Sequence, residues 1–384
     1  MRTESHIRGR IVSAAHSFDD GVVSIAGQRI AAVRGFDEWK AAHPDSPTPL
    51  PVGTVLPGLV DIHNHGGAGH RLDTTDPDEA VAAVEYHRSQ GTTTVLASIV
   101  TAAPEDMVAQ VETLRELAEA GVIGGIHAEG PFLSGVRCGA QDPRYLMKPD
   151  PVLARRLVEA ADGQLRIMTL APELPGFGTV ARLLAEYGVT VSLGHSDADF
   201  ATFLNALRPH GFAGSVTHLA NGMPPLHHRE SGPVAAALTA AARGRVTVEL
   251  IGDGVHVDSG FGALVFASAP ERVALITDAM QAAGMPDGSY HLGPQEVRVD
   301  GGVARVASGS IAGGTAHLLR CVAWAVRECG VPLTEAVRAA TLTPARTAGL
   351  EEVGDLAAGY HADLIVVDAD LRLRRVLHRG RWLS

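Results

Sequence analysis

The sequence predicts an α/β protein, a (β/α)8 TIM-like barrel accompanied by a small β-sandwich domain built from both chain ends. Three observations lead there. Eight short apolar segments recur through the middle of the 384 residues, longer Ala/Leu/Arg/Glu stretches of helical period separate them, and both chain ends show the two-residue alternation of half-buried strands. Eight strands with intervening helices favour a closed barrel over an open doubly wound sheet, because no G-x-G-x-x-G opens a helix to mark a dinucleotide crevice.

The elements follow in chain order. Ile7-Arg-Gly-Arg-Ile-Val, Gly21-Val-Val-Ser-Ile and Arg29-Ile-Ala-Ala-Val are short alternating strands, and the same texture returns in Ala362-Asp-Leu-Ile-Val-Val-Asp and from Leu371 to Trp382. These pieces assign residues 1–56 and 349–384 to the small β domain and 57–348 to the barrel. The expected barrel strands are Val55 to His63, Thr92 to Val100, Val122 to Ala128, Arg166 to Ala171, Val189 to His195, Ser215 to His218, Val246 to Gly252 and Val273 to Asp278. Helices fit over Asp78 to Gln90, Pro104 to Ala120, Pro151 to Ala161 and Thr179 to Tyr187. Gly309 to Gly314 has the glycine spacing of a phosphate loop, but Thr315 stands where the required lysine would be, so that reading fails.

Composition bounds the function. Hydrophobic residues at 46% and charged residues at 20% suit a packed globular core. A net charge of −11 repels nucleic acid and anionic membrane surfaces, and no basic run offsets it, so neither is an expected partner. Of the 32 basic residues only Lys40 and Lys148 are lysines. Cys138, Cys321 and Cys329 are odd in number and lack C-x-x-C spacing, which argues against a disulfide framework or a thiolate zinc site and for a reducing compartment. No apolar run approaches the ~18 residues of a membrane helix, and the polar Met1-Arg-Thr-Glu-Ser-His-Ile start lacks the apolar core of an export signal. A cytoplasmic protein is expected.

The polar residues that can do chemistry sit at the downstream ends of the expected strands, the catalytic face of a barrel. Strand one ends in His63-Asn64-His65, strand three runs into His127-Ala-Glu129, strand five ends in His195, strand six in His218 and strand eight in Asp278. His63 and His65 are two apart, so on an extended strand both point to one face and can grip one metal ion. Taken alone, His195 or His218 reads equally as a buried imidazole hydrogen-bonded to backbone, and Glu129 as an acid near a helix start. As a set at five strand ends they form a metal cage, since a carboxylate at a barrel mouth needs a cation to offset its desolvation. Imidazole and carboxylate without thiolate make Zn²⁺ the default, with Mn²⁺ and Fe²⁺ also suited. Asp278 emerges where it can take a proton from an activated water.

Six segments carry a resemblance: Pro57-Gly-Leu-Val-Asp-Ile-His-Asn-His-Gly66, Gly125-Ile-His-Ala-Glu-Gly-Pro-Phe132, Ser192-Leu-Gly-His-Ser196, Thr217-His-Leu-Ala-Asn-Gly-Met223, Gly252-Asp-Gly-Val-His-Val-Asp258 and Leu275-Ile-Thr-Asp-Ala-Met280. They resemble, in order, motifs of the N-acetylglucosamine-6-phosphate deacetylase family of the amidohydrolase superfamily, and the likeness runs from residue 57 to 365. It implies a metal-dependent hydrolase barrel that releases acetate from a phosphorylated amino sugar in amino-sugar catabolism and cell-wall recycling. It also implies that Glu129, His195 and His218 bind the principal metal, that His63 and His65 mark a two-metal branch with Glu129 as bridge, and that Asp278 is the general acid/base. Implied sugar contacts are Asn221, His256 and the backbone of Gly222, where the family usually has Ala. Arg229 corresponds to a phosphate-binding arginine that reaches across a homodimer interface, and its fork suits that task. Gln141 stands where some members have His. Ile311 lies in Ser308-Gly-Ser-Ile-Ala-Gly-Gly-Thr315, a loop that either faces substrate or only opens the next helix. Cys138 is either a thiol that tunes the site or an inert surface cysteine.

Two other readings remain for function. Dihydroorotases and hydantoinases of the same superfamily commonly bridge their metals with a carboxylated lysine at the end of strand four, where this chain has Leu170-Ala-Pro-Glu173. A non-catalytic barrel scaffold should have lost ligands or the strand-eight acid, and none is missing.

Overall fold

A computed structural model describes residues 4–208 and 213–383. The first three residues of the N-terminal segment lie outside that range. Eight parallel strands form one sheet in strict chain order, Leu59–Asn64, Thr92–Ile99, Gly125–Glu129, Leu165–Leu170, Thr190–Leu193, Ala213–Val216, Thr247–Ile251 and Val273–Ile276. The first and last approach at their downstream ends, where the Asp278 amide donates to the His63 carbonyl at 3.0 Å and the His65 amide to that of Ala279 at 2.7 Å.

Side-chain alternation builds the barrel interior in layers. Val60, Ile62, Leu96, Ile167, Ile251, Ala274 and Ile276 come from five strands and share one apolar cluster with Ala345 and Ala348, which plug its lower end. Two residues downstream of Leu96 and Ile167, on the same faces, stand the buried polar Ser98 and Thr169, whereas in the seventh strand the buried Glu249 precedes Ile251. Along the second and fourth strands the interior therefore changes from apolar to polar, and this polar layer floors the upper cavity.

Helices Pro77–Ser89, Pro104–Glu119, Pro151–Ala161 and Phe177–Glu186 match the expected segments within two residues at each end. Proline in the first turn presets φ where no intrahelical N–H partner exists, and the Asp76 and Asp150 carboxylates accept from the free amides of Asp78 and Val152. After the eighth strand the chain makes a three-stranded antiparallel insertion, Gly288–Leu292, Gln295–Asp300 and Val303–Val306, absent from the sequence reading. Its Leu292, Val297 and Val299 pack with Val100 and Met280, which seats it over the ends of the second and eighth strands.

Both chain ends join in one seven-stranded sheet, in the spatial order Arg381–Trp382, Leu373–His378, Leu364–Val367, Pro51–Pro57, Glu4–Val12, Ser17–Ala26 and Arg29–Gly35. Period two divides its residues. Ile11, Val55, Leu364, Val366 and Leu377 join a core with Val23, Ile25 and Ile30 from the far edge, so this face curls over itself. Their neighbours Val12, Leu56, Ile365, Val367 and Val376 pack into the barrel's own core.

The expected strand Val55 to His63 is two strands, Pro51–Pro57 in the end sheet and Leu59–Asn64 in the barrel. Pro57 supplies no amide and Gly58 lies against the barrel, where a Cβ would stand 2.1 Å from Thr93 Oγ1. The continuous apolar run hid this break. Gly58→Ala should lower stability by about 1–3 kcal/mol through overpacking, measured by thermal denaturation; an unchanged midpoint would contradict the close approach.

Candidate active site

Each candidate ligand is set by a strand end. The third strand closes on Glu129, while His195, His218 and Asp278 follow the fifth, sixth and eighth strands at φ values of 46°, 27° and 47°. This left-handed backbone is uncommon outside glycine, costs of order 1–3 kcal/mol per residue and clusters at functional sites.

The side chains converge on Glu129. Its Oε1 lies 3.1 Å from His195 Nε2, 2.9 Å from His218 Nε2 and 3.6 Å from His63 Nε2, and its Oε2 lies 3.3 Å from His65 Nε2. Asp278 Oδ1 lies 3.4 Å from His63 Nε2 and 3.2 Å from His65 Nε2. All six residues are buried. Two triads with ligand atoms mutually within 4.8 Å result, His63/His65/Glu129 and Glu129/His195/His218, and Glu129 belongs to both.

The outer nitrogens determine what the inner ones offer. Nδ1 of His63 faces Glu249 Oε2 at 3.1 Å, that of His65 the Ser98 carbonyl at 3.1 Å, and that of His195 the Arg137 carbonyl at 2.8 Å. These partners only accept, so each Nδ1 carries the hydrogen and each Nε2 presents a lone pair to the carboxylates. Lone pairs and carboxylate oxygens this close repel unless a proton or a cation stands between them. Burial raises the Glu129 carboxyl, yet His63, His195 and His218 hold it well below the usual carboxylate range. Burial opposes ionised Asp278 too, but His63 and His65 carry it down to about 2. Burial lowers His65, and Asp278 and Glu129 still lift it to about 9. The residues fit a divalent cation, whose charge would replace those protons.

Beneath this cluster lies neutral polar support. Burial, then His63, pushes His127 well below its ordinary pKa, and its ring bridges Ser98 Oγ at 3.0 Å and Thr169 Oγ1 at 2.8 Å. Glu249 Oε2 also accepts from the His218 amide at 3.2 Å. Glu249 escaped the sequence reading, although a lone carboxylate inside the apolar strand Thr247-Val-Glu-Leu-Ile was a usable signal.

Above the cluster opens a cavity of ≈ 380 Å³ lined by His65, Glu129, His195, His218 and Asp278 together with the expected Gln141, Asn221, Gly222, His256 and Ile311. Gln141 Nε2 donates to Glu129 Oε2 at 2.7 Å while its Oε1 accepts from the Thr101 amide, so it orients the shared carboxylate. His256 Nδ1 is 2.7 Å from Asp253 Oδ2, an anchor that leaves Nε2 free for a ligand. Gly222 has φ 60°, and a Cβ there would stand 2.8 Å from His195 Nδ1. Ser310, Ile311 and Gly313 all line the cavity, and the following helix starts later, at Leu318 behind the His317 cap. That loop therefore faces the cavity. Arg137 lines it as well and was missed, whereas Cys138 is half-buried outside the lining. Arg229 is exposed, 2.7 Å from His228 Nε2, and the single chain does not bring it to the cavity.

The match to the amidohydrolase family model covers residues 54–381. The chain belongs to that family. It is 34% identical over 380 residues to an N-acetylgalactosamine-6-phosphate deacetylase of Escherichia coli O157:H7, with 98% of each chain covered. It is 32% identical over 393 residues to an N-acetylglucosamine-6-phosphate deacetylase of Vibrio furnissii, covering 99% of this chain and 96% of that one. A mutant of the N-acetyl-D-glucosamine-6-phosphate deacetylase of Mycobacterium smegmatis, solved with N-acetyl-D-glucosamine-6-phosphate, superposes with a TM-score of 0.93 at 40% identity over 99% of both chains.

Glu249 fixes the His63 ring without reaching the cavity. Glu249→Gln should weaken metal affinity about 10–100-fold, read by competition with a chromogenic chelator; unchanged affinity would show that the pair does not orient the ligand.

Proposed function

We propose that this chain hydrolyses the acetamide of N-acetyl-D-glucosamine 6-phosphate to D-glucosamine 6-phosphate and acetate. The observation that carries this reading is the convergence of four imidazole Nε2 atoms on the shared Glu129 carboxylate at the floor of the cavity. Relatives with deacetylase activity on phosphorylated amino sugars, matched over nearly the whole chain, support the substrate class.

Glu129, His195 and His218 would hold one cation, and His63, His65 and Glu129 a second. The donor set suits Zn²⁺ first, with Mn²⁺ or Fe²⁺ as alternatives. A cation held there supplies Lewis acidity, polarising a carbonyl and lowering the pKa of water from 15.7 to about 7. Asp278, ionised on the cavity wall, accepts the proton of the attacking water at a carboxylate oxygen and returns it to the departing amine nitrogen. His256 and Asn221 orient the sugar by hydrogen bonds, the Gly222 backbone closes against it, and Ile311 packs on its apolar face. Exposed Arg229 serves the neighbouring subunit of a homodimer, where its fork grips the 6-phosphate. Three unpaired cysteines support a reducing, cytoplasmic setting. Among the described residues no helix is long and apolar enough to cross a membrane.

A second reading, the C4 epimer N-acetyl-D-galactosamine 6-phosphate, is favoured by the Escherichia coli relative, whose 34% identity is matched against 32% for the Vibrio furnissii glucosamine enzyme. Comparing kcat/KM for the two epimers decides between them.

Asp278→Asn should retain metal and substrate while turnover in a free-amine assay falls about 10²–10⁴-fold; near-normal turnover would refute its role. Removing the 6-phosphate from the substrate should lower kcat/KM strongly in the parent enzyme and much less in Arg229→Ala. Equal cleavage of both sugars by the parent would end the phosphate assignment.

A further inference from the structure

The barrel carries a second cavity, of ≈ 470 Å³, at the end opposite the metal cluster. Thr93, Thr94, Gly124 and Arg166 line it, and they lie at or just before the upstream ends of the second, third and fourth strands, whereas the metal-ligating side chains sit at the downstream ends. The opposite wall comes from the end sheet and the segment leading into it, through His361, His378 and Arg379. In barrels this face serves stability, and nothing in the proposed deacetylase chemistry uses it.

Its polar groups are donors in excess. Arg166 donates through Nη2 to the neutral Gln164 Oε1 at 3.3 Å, its Nε is buried without a partner, and among the described residues no carboxylate lies within ion-pair distance of it. Arg379 Nε is likewise buried without a hydrogen bond, and its ion pair with Asp363 Oδ2 is long, at 4.0 Å. Arg379 Nη1 donates to His361 Nδ1 at 3.2 Å, which places the hydrogen of that imidazole on Nε2 and makes it a further donor. Burial, then Arg379 and Arg29, keeps His361 below its ordinary pKa and therefore neutral. His378 Nδ1 stands 3.1 Å from Asp363 Oδ1 but out of hydrogen-bond line. The acidic side chain lining the cavity is Glu351, and it is exposed.

A half-buried guanidinium with no carboxylate in reach among the described residues, Arg166, beside one whose carboxylate stands 4.0 Å away, Arg379, is costly unless an anion completes them, and a wall of donors selects a ligand that only accepts. Forked arginines from two directions match the tetrahedral oxygens of phosphate. The volume falls within the range of small-molecule sites. We propose that this cavity binds a small phosphate oxyanion, either inorganic phosphate or a phosphate monoester, bridging Arg166 of the barrel and Arg379 of the end sheet.

The test titrates inorganic phosphate into the full-length protein by calorimetry, alongside Arg166→Gln, Arg379→Gln and the active-cavity variant His256→Gln. A binding component weakened at least tenfold in both arginine variants and unchanged in His256→Gln is expected, with Arg166→Gln turning over the proposed substrate within about twofold of the parent. If Arg379→Gln fails to fold, Arg166→Gln decides alone, and Arg166→Lys, which keeps charge and loses the fork, should fall between it and the parent. Glycerol phosphate in a parallel titration separates the sources: tighter binding than inorganic phosphate assigns a monoester, equal binding the free anion. Phosphate binding that is indifferent to Arg166, or lost only in His256→Gln, overturns the proposal. None of these readouts depends on which acetamido sugar is hydrolysed.

Discussion

The buried carboxylate of Glu129 is the constraint around which the upper half of the barrel is organised. An ionised carboxylate taken out of water loses solvation worth many kcal/mol and must recover it locally. Here the recovery comes from imidazoles on three other strands, and their outer nitrogens are tied to the Arg137 and Ser98 carbonyls and to Glu249. Those ties give the His63, His65 and His195 rings their tautomer, which turns them into lone-pair donors. Positive charge must then enter the centre, as protons or as metal.

The barrel makes this possible through its layering. An apolar plug from five strands fills the lower interior, so the strands hold their spacing without help from the site. Above it Ser98, His127 and Thr169 form a neutral hydrogen-bonded floor. A charged His127 would add repulsion beneath the cluster, and its low pKa prevents that. Strain is concentrated where the strands end, in the left-handed His195, His218 and Asp278. Rigid strands below and short turns above over-determine those conformations, which is the condition for such strain to persist.

The same architecture separates two kinds of surface. The downstream end carries acceptors in excess and calls for cations; the upstream end, where the end sheet meets the barrel, carries donors in excess. A protein with net charge −11 has little diffuse positive potential, so anions must be met by specific arginines. Arg166 and Arg379 are placed for that at one end, and the exposed Arg229 lies on a loop that follows the sixth strand at the other.

Local sequence determined much of the architecture, because strand and helix periods are properties of neighbouring residues. The eight strands, four of the helices and the pairing texture of the chain ends were legible this way, and so were the candidate ligands, since strand ends are readable and a barrel aims them to one side. Tertiary structure decided what periodicity does not encode. It split the run Val55 to His63 at Gly58, where a contact with Thr93 lies beyond local sequence. It added the three-stranded insertion after residue 287 and revealed Glu249 beneath His63, although 186 positions separate the two. It kept Arg229 out of the single chain's cavity, which no spacing rule could have told. Of 18 histidines, barrel closure chose which share Glu129, bringing His195 and His218 to it across 66 and 89 residues, because convergence is set by strand order and stagger and not by the neighbours of any one residue.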